Sequence, residues 1–210
     1  MPTIEETTHA GGFILSEANG NRSRENGIIN AGQDLAAGTV LGRLMTAIGA
    51  ASVENTGDGV MTVGAIGANV QEGVYSLVCT AVSENAGTFR MTAPDGVVVG
   101  DITVGVASAN SHVAVTIADG ATDFAAGDTF TITVVAGDYE QLDPAEDDGA
   151  QIAVAILYAA VDATAADKAC AVVVRDAVVN QHELIWPAGI TADQKAAAIT
   201  QLNSRGIFLR

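Results

Sequence analysis

The sequence predicts a mainly β protein with a short C-terminal helix, into which an antiparallel β-sandwich-like domain is inserted. The chain has 210 residues, of which 49% are hydrophobic but only 4% aromatic, and 23 are glycine. Such a mixture favours short strands and turns over long helices. In the middle of the chain, apolar and polar residues alternate between turn signals, which is typical of strands in an antiparallel sheet. Near the C-terminus, one segment has the cap and the apolar spacing of a helix.

The middle segment, residues 55–140, predicts the inserted domain. Its apolar runs recur every 8 to 12 residues or so, a spacing that is typical of a sandwich or a small barrel. Polar, turn-rich stretches bound it at residues 55–59 and 137–149. We therefore expect a flexible N-terminal arm at 1–14, a discontinuous core domain at 15–54 and 141–210, and an inserted domain that projects outward. The runs are Gly73–Val82, Thr88–Thr92, Ile102–Val106, His112–Ile117 and Asp128–Val135.

The flanking segments predict a few further elements. Residues 37–44 indicate a turn that leads into a strand, and the apolar run 151–161 is interpreted as a buried strand rather than a helix. Residues 169–175 form a second strand that pairs with it as a hairpin. Thr191 is a suitable N-cap, and the helix that follows it ends before Gly206. The last four residues predict a short terminal strand.

The charge of the chain excludes several classes of function. There are 25 acidic and 9 basic residues, and the formal net charge is −16. Binding to nucleic acid or to an anionic membrane surface needs clustered basic residues, which this chain lacks. It has no apolar run long enough to span a membrane and no signal peptide, so we expect synthesis and folding in a cytoplasm. Cys79 and Cys170 are therefore interpreted as buried, reduced thiols, and a disulfide between them is the alternative.

No residue pattern indicates catalysis. The chain has three histidines, His9, His112 and His182, and none lies in a motif for nucleophilic catalysis or metal binding. Carboxylates cluster at residues 119–128 and 143–148, where calcium binding is an alternative to solvated turn acids. Neither cluster has the spacing of an EF-hand. We therefore expect no enzyme activity, no cofactor and no metal site.

The two flanks together resemble the phage head decoration proteins of the phage lambda type. The most specific stretch is Glu183–Pro187, which is followed by a short helix containing Asp193–Lys195. Residues 35–42 and 153–158 are similar to the early turn and strand and to the central strand of that family. The resemblance implies an α+β decoration-protein fold, a homotrimer, and an N-terminal arm that adds a strand to the major capsid protein. Trp186 and Pro187 are the structural residues of the shared motif.

The resemblance implies a structural virion protein on the outer surface of the capsid. As a trimer, it would stabilise the shell against internal DNA pressure. The alternative is a phage surface module that binds host-cell or environmental carbohydrate through aromatic residues of the inserted domain, of which Tyr75, Phe89, Phe124, Phe130 and Tyr139 are available. The residues expected to bind the capsid are Thr3, Ile4, Thr7, Thr8, His9 and Phe13.

Overall fold

The computed structural model describes residues 8–108 and 110–210, which divide into two compact units. Unit 1 comprises residues up to Leu44 together with Gly137–Arg210, and unit 2 comprises Met45–Ala136. The sequence analysis placed the boundaries at 54/55 and 140/141, in polar loops. The observed boundaries lie within two long strands, which leave no loop signal at those positions.

The structure has fifteen strands and one helix within its described residues, and β4 and β10 each run from one unit into the other. The first ten strands in chain order are β1 (Ile14–Glu17), β2 (Arg24–Ile29), β3 (Asp34–Leu35), β4 (Val40–Ala51), β5 (Val60–Ile66), β6 (Gly73–Ser83), β7 (Ala86–Thr92), β8 (Val98–Thr103), β9 (Val113–Ala118) and β10 (Thr129–Gln141). The remaining elements are β11 (Ala155–Leu157), β12 (Val161–Asp162), β13 (Lys168–Val173), β14 (Ala177–Val179), α1 (Ala192–Ser204) and β15 (Ile207–Leu209).

Unit 1 contains one larger and two smaller groups of strands. In the larger group β13 pairs antiparallel with both β2 and β11, and β11 pairs antiparallel with β4. Ile156 lies opposite Val173, so the predicted hairpin is confirmed. The strand predicted over 151–161 is wrong in length, because the chain bends at residues 158 and 159 and only Ala155–Leu157 and Val161–Asp162 are strand. A second group joins β14 to β1 and to the terminal strand β15, and the third pairs β3 with β12.

The core of unit 1 lies between its strands and α1. The helix begins after Thr191, whose hydroxyl accepts a hydrogen bond from the Gln194 amide, while the Gln194 side chain accepts one from the Thr191 amide. This reciprocal cap satisfies two helix N-terminal donors. Ala198 and Leu202 are the helix residues that reach the core. The buried members of the core cluster are Phe13, Val40, Leu142, Ala153, Ile156, Val173, Ala177, Val179, Leu184, Ala198, Leu202 and Ile207.

Unit 2 is built from an antiparallel group, β10–β6–β7–β8, and a separate antiparallel pair, β5–β9. Its core contains three mutually contacting rings, Phe89, Phe124 and Phe130, with centroids 4.9 to 5.8 Å apart. A Cβ on Gly59 would lie 2.3 Å from Cζ of Phe124, so this close approach requires glycine. The predicted run 102–106 is wrong in extent, because only Ile102 and Thr103 lie in β8 and Gly105 turns the chain with φ +80°.

The two cysteines are free thiols. Cys79 is buried, whereas Cys170 is partly exposed, so the prediction of two buried thiols is wrong for Cys170. The described residues contain no helix that is both long and apolar enough to cross a membrane.

Candidate functional site

The structure describes only part of the predicted arm. Thr3, Ile4 and Thr7 lie outside the described residues, while Thr8 is half-buried and His9 is exposed. Phe13, which the sequence analysis assigned to the capsid-binding arm, is fully buried in the core of unit 1. This corrects its assignment, because a side chain with no exposed surface is unavailable to a partner.

A tight turn at residues 9–12 ties the start of the chain to unit 1. The Gly12 amide donates to the His9 carbonyl oxygen over 2.9 Å, and the Gly11 amide donates to the Tyr158 carbonyl oxygen over 2.8 Å. Gly11 has φ +68°, and a Cβ there would lie 2.6 Å from Cε2 of Tyr158. Both the backbone conformation and the contact therefore require glycine.

Phe13 fixes the next residues. Its carbonyl oxygen accepts a 2.8 Å hydrogen bond from the Asn180 amide, and β1 begins directly after it. The sequence analysis placed Phe13 within a flexible arm over residues 1–14. The available signal was the aromatic ring itself, since large aromatic side chains bury much apolar area and are rare in this chain. We call Gly11, Phe13 and Tyr158 the anchor.

Tyr158 is itself held by charged neighbours. The Arg24 guanidinium carbon lies 4.2 Å from the centroid of the Tyr158 ring, within the range of a cation–π contact. Glu17 binds Arg24 through both of its carboxylate oxygens. The hydrogen bond from Arg24 lowers the pKa of Glu17, and the same bond raises the pKa of Arg24. Bidentate pairs of this kind are geometrically specific, so the Tyr158 ring has a defined place.

The motif residue Trp186 packs against the same core and is partly buried. The Lys195 ammonium lies 4.9 Å from the centroid of its ring. Its indole Nε1 is buried and has no hydrogen-bond partner in the described part of the chain. The segment before it is held by β-type bonds, since the Val40 amide donates to the Ile185 carbonyl and the Ile185 amide donates to the Gly38 carbonyl. Pro187 follows Trp186 at the rim of a groove.

That groove, in unit 1, has a volume of about 880 Å³ and an acidic lining. Burial raises the pKa of Glu140, and the neighbouring charges of Asp148, Glu146 and Asp143 raise it further. None of the described residues that line the groove is Lys or Arg, so its charge disfavours anionic ligands. The lining comprises Gly32–Leu35, Glu140–Glu146, Asp148, Pro187–Ile190 and Gln194.

The predicted carboxylate clusters are engaged in local structure. Asp128 accepts hydrogen bonds from the amides of Thr56, Gly57 and Ala125, all at 2.9 Å. Burial raises the pKa of Asp128, but these amides outweigh burial and the net pKa is lowered. Among residues 8–108 and 110–210, no group of three or more His, Cys, Asp or Glu side chains is arranged to hold a metal ion. Asp123, Asp143 and Asp148 also accept hydrogen bonds from backbone amides, whereas Oδ1 of Asp119 is buried without a hydrogen-bond partner among the described residues.

The aromatic residues that a carbohydrate site would need are buried. Tyr75 and Phe89 have no exposed surface, and Phe124, Phe130 and Tyr139 are at most 6% exposed. Tyr139 moreover belongs to unit 1. None of these rings is presented to a sugar.

Solved structures provide only distant similarity. The flagellar protein FlgL of Xanthomonas campestris, in two crystal forms, aligns with 47% of this chain at 22% and 23% identity, with TM-scores of 0.34 and 0.33. The flagellar hook junction protein FlgK of Burkholderia pseudomallei aligns with 54% of this chain at 21% identity and a TM-score of 0.35. The matches span 34% and 33% of the two FlgL chains and 21% of the FlgK chain. No curated protein matches.

A protein family, by contrast, matches almost the entire sequence. The family described as Bacteriophage lambda head decoration protein D covers residues 3–207. This span includes the Trp186–Pro187 motif, the anchor, all of unit 2 and most of unit 1. The chain therefore belongs to the phage lambda head decoration protein family, and it is a structural protein of a phage capsid.

Proposed function

We propose that this protein binds the outer surface of a phage capsid as a homotrimer and stabilises the shell against the pressure of the packaged DNA. The observation that carries the proposal is the family match over residues 3–207. The partner is the major capsid protein. Unit 1 is the part that attaches, because it holds both the start of the chain and the Trp186–Pro187 motif.

The attaching segment is the arm before the anchor, residues 2–10. Thr3, Ile4, Thr7 and Thr8 have side chains that favour extended backbone, which suits the addition of a strand to a capsid subunit. Each backbone hydrogen bond contributes only about 0.5–1.5 kcal/mol net, so a single arm binds weakly. Three arms on one trimer act as a linked set, and this linkage converts weak binding into durable attachment.

Trimer formation is supported by apolar side chains on the surface of unit 1. Leu15 on β1 is 59% exposed, Phe208 on β15 is 46% exposed, and Ile28 on β2 is 44% exposed. A symmetric contact between copies of unit 1 would remove part of this surface from water and stabilise the assembly.

Unit 2 is the part that projects outward, away from the shell. Residues 45–136 carry nine acidic side chains and a single basic one, Arg90, which is itself paired with Asp101. An excess of one sign of charge keeps neighbouring particles apart, and salt weakens this effect. We therefore assign attachment to the capsid to unit 1, and the negative charge of the particle surface to unit 2.

The proposal is tested by mixing the purified chain with empty shells of its phage and sedimenting the mixture. We expect the chain to co-sediment at a fixed ratio to the capsid protein, and the decorated shells to rupture at a higher temperature than bare shells. A variant lacking residues 2–10 is the matched control, since it keeps the whole anchor and should bind poorly. A chain that stays in the supernatant, or that binds without raising the rupture temperature, contradicts the proposal.

A further inference from the structure

We propose that the anchor mechanically couples the capsid-bound arm to the core of unit 1. Through this coupling, binding of the arm also reinforces the shell. This inference rests on the proposed function. It separates two properties: the arm confers occupancy of the shell, whereas the anchor, formed by Gly11, Phe13 and Tyr158, confers mechanical coupling.

The geometry shows how abruptly the chain becomes fixed. The proposed arm ends at Ala10, which alone separates His9, the last expected capsid-binding residue before the anchor, from Gly11. Over the next three residues the Gly11 amide binds the Tyr158 carbonyl, the Phe13 side chain enters the core with no exposed surface, and the Phe13 carbonyl binds the Asn180 amide. Gly11, the first residue that is bonded to the core, therefore lies two residues beyond His9.

Tyr158, the third residue of the anchor, is also held in place by its neighbours. Tyr158 lies directly after β11, a strand whose three residues are all buried. Arg24 lies over its ring and is held by Glu17, the last residue of β1. A pull on the arm is thus opposed by Glu17 of β1, by Arg24 of β2 and by Tyr158 directly after β11.

Release of the anchor has a predictable consequence. Freeing Gly11, Gly12 and Phe13 adds three residues to the link between shell and core, and at about 3.3–3.6 Å per extended residue this adds about 10 Å of slack. A longer flexible link lowers the effective concentration of each arm at its site only a few-fold. The released variant should therefore still occupy shells, while its body no longer restrains the capsid subunits to which its arms bind.

The anchor is released with the Gly11→Ala variant, because the added Cβ would clash with Tyr158 and alanine disfavours φ +68°. Gly20→Ala is the matched control: Gly20 has φ +72° but nothing within 4 Å of the added Cβ, so it shares the backbone cost without the contact. A third variant inserts Gly-Ser-Gly-Ser between Ala10 and Gly11. It leaves the anchor intact and adds about 14 Å of slack.

Three measurements are made on each full-length variant: hydrogen exchange at the amides of residues 11, 12 and 14, occupancy of shells, and the rupture temperature of the decorated shells. We expect Gly11→Ala and the insertion to reach half-occupancy of shells at a concentration within about tenfold of the wild-type value, yet to give less than half of the wild-type rise in rupture temperature. Gly20→Ala should match wild type in all three. Circular dichroism checks that every variant is folded.

The proposal is overturned if Gly11→Ala exchanges its anchor amides rapidly and still reinforces shells like the wild type. Should Gly11→Ala keep those amides protected, the insertion variant decides, and a wild-type rupture temperature with the insertion overturns the proposal. Failure of the wild-type chain itself to bind or to reinforce shells would instead contradict the proposed function. The two failures are therefore distinguishable.

Discussion

Replacement of Trp186 by alanine should destabilise unit 1 by about 2–3 kcal/mol. A fully buried tryptophan costs about 3–5 kcal/mol on truncation, and Trp186 is only partly buried, which reduces that figure. Loss of the contact with the Lys195 ammonium, 4.9 Å from the ring centroid, adds about 0.5–1 kcal/mol. Removal of the unpartnered Nε1 returns about 1 kcal/mol, because a buried donor without an acceptor is costly.

Two further variants separate these contributions. Trp186→Phe keeps most of the ring and removes the unpartnered donor, so it should stay within about 1 kcal/mol of wild type. Lys195→Met keeps the aliphatic stem and removes the charge, at a cost of about 0.5–1 kcal/mol. Urea unfolding followed by amide exchange of α1 and β14 reports on unit 1 in each variant. The reasoning is refuted if Trp186→Ala is as stable as wild type and merely fails to bind shells, which would place Trp186 on the attachment surface.

Three other predictions concern the two units separately. Asp128→Asn should destabilise unit 2 by about 2–3 kcal/mol, measured by amide exchange at Thr56, since the variant loses charged acceptors for backbone amides. Because folding lowers the pKa of Asp128, its ionised carboxylate stabilises the folded state at pH values above the unfolded pKa of about 3.9. This stabilisation is lost as the pH falls through the folded pKa. The stability of wild type should therefore fall more steeply in acid than that of the variant. Folding raises the pKa of Glu140, so the ionised carboxylate destabilises the folded state at neutral pH. Glu140→Gln should therefore raise the midpoint of thermal unfolding of unit 1 at pH 7. An unchanged or lower midpoint would contradict this prediction. Deletion of unit 2, with Leu44 joined to Gly137 by a short Gly/Ser linker, should leave a folded chain that binds shells. The two ends to be joined are close, since a Cβ on Gly137 would lie 3.4 Å from the Leu44 carbonyl oxygen. A folded variant that no longer binds would assign attachment to unit 2.

The helix and the class of fold could be predicted because their signals are local. Thr191 and Gln194 form the cap within four residues of each other, and Gly206 follows the end of α1. The alternation in β6 places Tyr75, Leu77 and Cys79 inside, as period-two spacing requires. These features depend on neighbours in sequence and need no knowledge of the tertiary structure.

The remaining features depend on distant contacts. Gly11 resembles any flexible glycine until Tyr158 is placed beside it, and Phe13 is an anchor only because its core is completed by residues from the other end of the chain. Likewise, the two boundaries between the units lie inside β4 and inside β10, where strand-forming residues continue without a break. The acidic groove is also assembled from three separated segments, so its effect on Glu140 has no local signature.

The most direct test of the account is a reconstruction, by electron cryomicroscopy, of phage shells decorated with this chain at a resolution that shows strands. The account predicts trimers on the outer surface, with unit 1 against the shell, unit 2 away from it, and residues 2–10 of each copy paired as a strand with a capsid subunit. Isolated monomers, attachment through unit 2, or arms that make no contact with the shell would contradict it.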